Sequence, residues 1–173
     1  MSPAFLRIAA VLLVAGCAAL AVYLFAFRWK PENAVARSQA RFLTAVAEAD
    51  IRTYAEAIHP DYRDAWDLGR DDVIAGLQAV RRQFRSMEIQ WLPESVTAEG
   101  ESATVTGHIG LSGEGNASTR RAVRAVADAR EAGPITFGWR RASGKPWDWK
   151  LVSVSHPTLD VPAGSLSDWG FGF

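Results

Sequence analysis

The chain has 173 residues, no formal net charge, and the hydrophobic and charged fractions (49% and 22%) of an ordinary folded protein, which argues against disorder. Three of its 19 basic residues, Arg7, Arg28 and Lys30, lie in or beside an N-terminal apolar run. The rest of the chain therefore sets 16 basic against 19 acidic residues, a balance that gives no reason to expect nucleic-acid binding. The only cysteine is Cys17, so no disulfide and no thiolate metal site can form beyond that run.

The run itself spans Ile8 to Phe27. About twenty apolar residues suffice to cross a hydrocarbon core as a helix, and the reading here is an uncleaved transmembrane anchor. Its flank, Arg28-Trp29-Lys30, suits an interface, where tryptophan sits at headgroup level and long basic side chains reach outward. A cleaved signal is disfavoured, because the run exceeds a signal's apolar region and ends in bulky residues. Val14-Ala15-Gly16-Cys17 resembles a lipoprotein acylation box, which leaves acylation at Cys17 as the alternative. Charge counting across Arg7, Arg28, Lys30, Arg37 and Arg41 favours a cytoplasmic domain. The short leading tail favours the extracytoplasmic side, which is the placement adopted.

Three segments follow from this: 1–30 as tail and anchor, 31–158 as a folded domain, and 159–173 as an aromatic tail ending Asp168-Trp169-Gly170-Phe171-Gly172-Phe173. Within the domain, Asn33 is a plausible N-cap for a helix over 34–49 that places Phe42, Leu43 and Val46 together. From Asp50, residues Ile51, Tyr54, Ala55 and Ile58 recur at helical spacing until His59-Pro60 stops the helix. Asp61–Leu68 is a short aromatic segment. Gly69-Arg70-Asp71-Asp72 then opens the best-specified helix, with Val73, Leu77, Val80 and Phe84 as its stripe and Arg81, Arg82 and Arg85 closing it, as the helix dipole prefers.

From residue 86 the period becomes two. Met87, Ile89 and Trp91 predict one strand, Val96–Ala98 a second after Leu92-Pro93, and 102–111 a third with Ala103, Val105, Gly107, Ile109 and Leu111 on one face. Ser112–Asn116 reads as a flexible loop, and 119–132 as either helix or strand. Ile135, Phe137 and Trp139 mark a further strand. Trp147–Ser155, apolar on both faces, is expected in the middle of a covered sheet.

Helices followed by an antiparallel meander make an α+β order. The helix end Ile58-His59-Pro60-Asp61-Tyr62, the helix start Gly69–Ile74, and the closing strands Ile135–Arg141 and Trp147–Val152 resemble the nuclear transport factor 2-like (NTF2-like, SnoaL-like) superfamily over roughly residues 34–158. The resemblance implies a cone-shaped fold, with a curved, mainly antiparallel sheet wrapped on helices around a pocket. It also implies possible homodimers through the sheet face. The superfamily contains isomerases, dehydratases and cyclases as well as non-catalytic binding and assembly domains, so the fold does not choose among them. Bitopic subunits of type IV secretion channels share the layout of short tail, membrane helix and such a domain.

Candidate catalytic groups are His59, Asp61 and His108. The first two could equally shape a helix end, and His108 matters only if its strand face points into the cone. Tyr54, Tyr62, Trp66 and Trp91 are the candidate pocket residues. His59, Asp61 and Asp64 form the one local cluster that metal ligation would need, and it is too sparse for a metal to be assigned; no cofactor is expected. Asn116-Ala117-Ser118 matches a glycosylation triplet, a pattern common by chance. The function expected is a membrane-anchored binding or assembly domain offering a sheet face or pocket to a protein partner or small apolar ligand. The alternative is a SnoaL-like small-molecule enzyme.

Overall fold

The computed structural model describes residues 3–24 and 30–158, with side chains described over 12–24 and 30–158. Helix α1 spans Pro3–Tyr23. Among the described residues no helix is long and apolar enough to cross a membrane. The expected span, Ile8–Phe27, runs past them at its C-terminal end. The side chain of Ile8, the residues Phe27, Arg28 and Trp29, and the whole aromatic tail lie outside what is described.

Helix α2 spans Pro31–Glu48 and starts earlier than expected. Lys30, not Asn33, is the N-cap, because Pro31 at the first helical position needs no amide partner and already has a helical φ. The helix buries Ala34, Val35, Gln39, Phe42, Leu43, Ala45 and Val46 along one side. Ala49, in a left-handed conformation at φ 60°, ends it. Helix α3, Ile51–Ala57, is capped by Asp50, whose carboxylate accepts from the Thr53 amide at 3.1 Å. Helix α4, Arg70–Arg82, begins where the Asp72 carboxylate reaches back to the Gly69 amide at 2.9 Å. At its far end Arg81 donates to the carbonyls of Ala47 (3.2 Å) and Phe84 (2.8 Å), which ties α4 to the end of α2.

The sheet has four antiparallel strands in the order β1-β2-β3-β4: Phe84–Glu99, Ser102–Gly115, Ile135–Arg141 and Trp149–Ser155. Three expectations change. The two strands expected on either side of Leu92-Pro93 are one strand, interrupted by a register shift between Pro93 and Ser95. Proline is tolerated there because β1 is an edge strand, where the missing amide removes no essential ladder bond. Residues 112–115, expected as a flexible loop, finish β2 and pair with 84–88. Gly113 makes that possible: its φ is +154°, and a Cβ would stand 2.1 Å from the Ser86 carbonyl oxygen. The strand ending at Ser155 is not central but outermost. Its run of apolar residues reflects a bulge at Val152, which lets Leu151 and Val154 share the inner face, and its outer edge is covered by backbone. The amides of His59, Arg63 and Ala65 donate to the carbonyls of Leu151, Val152 and Val154 at 2.8–3.1 Å. That pairing hides an edge that would otherwise be open.

Residues 119–132, whose pattern fits helix or strand, lie in helix α5 (Ala117–Ala132). Asn116 caps it, accepting from the amides of Ser118 and Thr119 and donating to the Gln83 side chain at 3.1 Å. The amide of the glycosylation triplet is thus engaged in holding the helix. β3 begins opposite Gly107, so the outer half of β2 has no strand beyond it. α5 packs against β2 in that space.

The inner sheet face carries Ala103, Val105, Phe137, Trp139, Trp149 and Leu151, all buried against α2. Trp139 meets Phe42 edge-on at 6.3 Å and donates its indole N–H to Gln39 at 3.0 Å. Each fully buried aliphatic or aromatic side chain here contributes roughly 1.5–3 kcal/mol. Because Gln39 meets Trp139 while Phe42 and Leu43 lie further along toward Phe137, the N-terminal end of α2 points to the β3–β4 hairpin. The other end is not filled.

Candidate functional site

The unfilled end is an open cavity of about 380 Å³ lined by α2, α4, α5, the four strands and the segment between α3 and α4. α2 supplies Phe42, Leu43 and Val46, and α4 supplies Val73, Leu77 and Val80 at the spacing that made its stripe visible in the sequence. The sheet supplies Met87 and Ile89, Ile109 and Leu111, Ile135 and Phe137, and Leu151 and Val154, two from each strand. Alternation turns the pairs from β1, β2 and β3 inward, and in β4 the extra residue Val152 at a bulge brings Leu151 and Val154 to the same face. α5 adds Val126, and the segment between α3 and α4 adds Tyr62, Asp64, Trp66 and Leu68. Of the 19 lining residues only Asp64 is charged.

Asp64 organises the segment that carries it. Its Oδ1 accepts from the amides of Trp66 (3.0 Å) and Leu68 (2.9 Å), and its own amide donates to the Leu68 carbonyl. The other oxygen, Oδ2, receives the Tyr62 hydroxyl at a long 3.4 Å. Tyr62 is buried, and burial pushes its phenol well above the usual range, with the Asp64 charge and hydrogen bond acting in the same direction. Tyr62 is therefore a neutral donor.

The candidate residues separate. Tyr62 and Trp66 line the cavity, while Tyr54 and Trp91 do not. Tyr54 is buried beneath α3, where burial raises its phenol and a hydrogen bond from Gln78 opposes that rise. Trp91 lies edge-on to Phe137 at 5.6 Å, and its ring fills the space over Gly107, where a Cβ would come within 2.8 Å of it. Trp91 faces instead a shallow depression with Ala40, Leu43 and Thr44.

His59 and Asp61 are brought together, but outside the cavity. The Asp61 amide donates to His59 Nδ1 at 3.0 Å, and Arg140 of β3 reaches the Asp61 carboxylate at 3.1 Å. The same guanidinium nitrogen stands 3.0 Å from both imidazole nitrogens, so it lies over the ring rather than on either lone pair. This group straps the 59–61 turn onto the sheet's outer side. His108 shares the outer face with Thr104 and Thr106, since its neighbours Gly107 and Ile109 point inward. Its Nε2 meets Glu94 at 2.8 Å, and its Nδ1 is buried with no partner among the described residues. Among those residues no group of three His, Cys, Asp or Glu side chains could hold a metal ion.

Comparison with known proteins places the fold. No protein-family model matches the chain, and no curated protein matches it. Solved structures do. A Novosphingobium aromaticivorans protein, provisionally described as an aromatic ring hydroxylase, superposes with a TM-score of 0.55 at 16% identity over 80% of this chain and 95% of its own. A Streptomyces avermitilis protein of the NTF2-like family, provisionally described as a dehydratase, gives 0.50 at 17% identity over 71% of this chain and 91% of its own. Bd1075 of Bdellovibrio bacteriovorus gives 0.54 at 9% identity over 73% of this chain; the match spans 40% of that protein. At such identities the likeness is one of fold. The domain has an α+β NTF2-like fold built on a four-stranded antiparallel sheet.

Proposed function

We propose that the chain is a membrane-tethered NTF2-like domain that binds a small apolar ligand inside its cone. The observation carrying this reading is the cavity itself, about 380 Å³ with an almost wholly apolar wall. Space of that size and lining is typical of small-molecule sites. The outer sheet face, by contrast, is polar, with Thr104, Thr106, His108 and Arg140 along it, and this favours the cavity over the sheet as the recognition surface. Homodimers through that face remain a separate proposal, tested by sedimentation of the purified chain.

Thermal unfolding with a small bicyclic hydrocarbon such as tetralin tests the cavity. A ligand at 100 times its Kd stabilises the folded state by about 2.7 kcal/mol. A Val126→Trp variant, which fills the cavity from α5, should fold normally and lose the shift. Equal shifts in both proteins, or none in the parent, would count against the reading.

One observation favours the enzyme alternative: the Tyr62–Asp64 pair sits at the cavity wall. An isomerase, hydratase or cyclase needs converging acid and base groups, and among the described residues no histidine or basic side chain lines the cavity to complete a set. Bound ligand recovered unchanged after incubation fits a binding domain. Product formed over many turnovers would make the protein an enzyme.

The tether rests on the apolar run and on α1, where Leu12, Leu13, Val14, Leu20, Val22 and Tyr23 are exposed on all sides of the helix. A helix apolar all round needs an apolar surrounding. Retention in membranes after alkaline extraction, unchanged by Cys17→Ser, is expected; loss of retention in that variant would indicate acylation instead. Digestion of the domain by protease added to intact spheroplasts would place it outside the cytoplasm, and protection would place it inside.

A further inference from the structure

We infer that two copies of the chain pair through the free edge of β1, antiparallel about a twofold axis at Ile89, so that their sheets join into one of eight strands. This interface is separate from the cavity and from the outer sheet face considered above.

The two edges of the sheet are finished differently. β4 is lined by the amides of His59, Arg63 and Ala65. β1 is the longest strand, at 16 residues, and among the described residues its ladder runs only to β2. An edge strand left in this state presents a row of donors and acceptors that another strand can complete. Beside it, between β1 and α2, runs a groove of about 350 Å³ that exposes Leu43, Met87, Ile89 and Trp91. Apolar side chains next to unpaired backbone are the two features that recognition by strand addition uses.

A second copy fits this edge because the strand is self-complementary. Its ladder is regular from Ser86 to Pro93, between the register shifts at Phe84/Ser86 and Pro93/Ser95. Pro93 has no amide to offer, so the usable run is 86–92, and its midpoint is Ile89. Residues opposed across an antiparallel pair share a face, and centring on Ile89 respects that. Ile89 then meets its own counterpart, Met87 meets Trp91, Glu88 meets Gln90 and Ser86 meets Leu92, each of the last three twice. Like charges are nowhere opposed, whereas a centre at Glu88 would set two carboxylates face to face. α2 is complementary in the same way. Arg37, Arg41, Thr44 and Glu48 recur at i, i+4, i+7 and i+11, and Thr44 and Glu48 line the groove. The twofold runs the two α2 helices antiparallel and sets the basic end of each stripe toward the Glu48 end of the other.

The experiment uses the purified full-length chain in one mild detergent. Sedimentation equilibrium should show a reversible monomer–dimer step. Glu88 and Gln90 are both exposed. Gln90→Lys creates an opposite-charge pair with Glu88 at two places in the dimer, and Gln90→Glu creates a like-charge pair at the same two places. The first should tighten the dimer about fivefold and the second should loosen it about fivefold. Cysteine pairing on a Cys17→Ser background reads the register. Glu88→Cys and Gln90→Cys, coexpressed with different tags, should give a mixed disulfide, because directly opposed Cα atoms lie within about 5.5 Å. Either variant alone should give none, since like positions are offset by about 7 Å along the strand. A monomer at all concentrations, shifts of the same sign in the two charge variants, or absence of the mixed disulfide would each overturn the inference. Efficient cross-linking of Thr104→Cys would place the dimer on the outer sheet face and overturn it as well.

Discussion

Gln39 and Trp139 form a polar pair within the apolar packing, and their energetics can be worked out from the structure. Gln39 is fully buried; its Oε1 accepts from the Trp139 indole at 3.0 Å, and its Nε2 has no partner among the described residues. Replacing Gln39 with Met keeps the volume and removes the unpaired amide nitrogen, but leaves the indole N–H unpaired. Each orphaned donor costs about 1–3 kcal/mol, so the two effects nearly cancel and stability should change by less than about 1 kcal/mol. Trp139→Phe removes the indole and its packing and strands the whole Gln39 amide, for a loss of about 3–5 kcal/mol. The double variant has no unpaired polar group left. It should be about 2 kcal/mol more stable than Trp139→Phe alone. Urea unfolding followed by far-UV circular dichroism, in one fixed mild detergent, measures all four proteins. Additivity of the two single changes within about 0.5 kcal/mol would refute the coupling.

Other expectations follow from particular contacts. Leu151 is fully buried and lines the cavity, so Leu151→Ala should cost about 2–5 kcal/mol in urea unfolding while enlarging the space available to apolar ligands. Gly107→Ala would bring a Cβ within 2.4 Å of the Leu92 carbonyl oxygen and 2.9 Å of the Pro93 Cα; backbone cannot yield cheaply there, and a fall in melting temperature of several degrees is expected. Asn116→Ala removes the cap of α5 and should cost about 1 kcal/mol, with faster amide exchange over the first turn of that helix. Alkaline pH should destabilise the fold through Tyr62. Its folded-state phenol is held up by burial and then by Asp64, while an unfolded tyrosine titrates near about 10. Above that pH the unfolded chain releases a proton that the folded chain keeps, so stability is intact below it and falls as pH rises, by up to about 1.4 kcal/mol per pH unit. Tyr62→Phe should make that fall shallower in unfolding curves taken between pH 9 and about 11.

What the sequence revealed was local. Val73, Leu77 and Val80 point one way because a helix repeats every 3.6 residues, and the same arithmetic set Asp71, Asp72, Arg81 and Arg82 at its ends. Phe84, counted with that stripe, opens β1 instead, since the helix stops at Arg82. The alternation over 102–111 gave the two faces of β2, with His108 on the polar one; which of them turns outward is decided by the packing of Ala103 and Val105 in the core. What was hidden depended on partners distant in sequence. β1 continues through Pro93 only because nothing else in the sheet needs that amide. α5 is helical because Asn116 and Thr119 both reach Gln83, a residue more than thirty positions earlier. Asp64 looked like a weak metal ligand beside His59 and Asp61. The turn that closes on Leu68 takes it to the cavity wall, whereas Arg140 keeps the other two on the outside. The aromatic residues could not be sorted by spacing alone, since Tyr54 and Tyr62 differ in direction through the turn at Pro60.

The proposed ligand site is the apolar cavity between α2, α4 and the sheet. A crystal of the protein pressurised with xenon tests it most directly, because a dry apolar cavity admits the gas. Xenon density is expected among Phe42, Leu77 and Phe137. Protein side chains filling that space, with no xenon there, would contradict it.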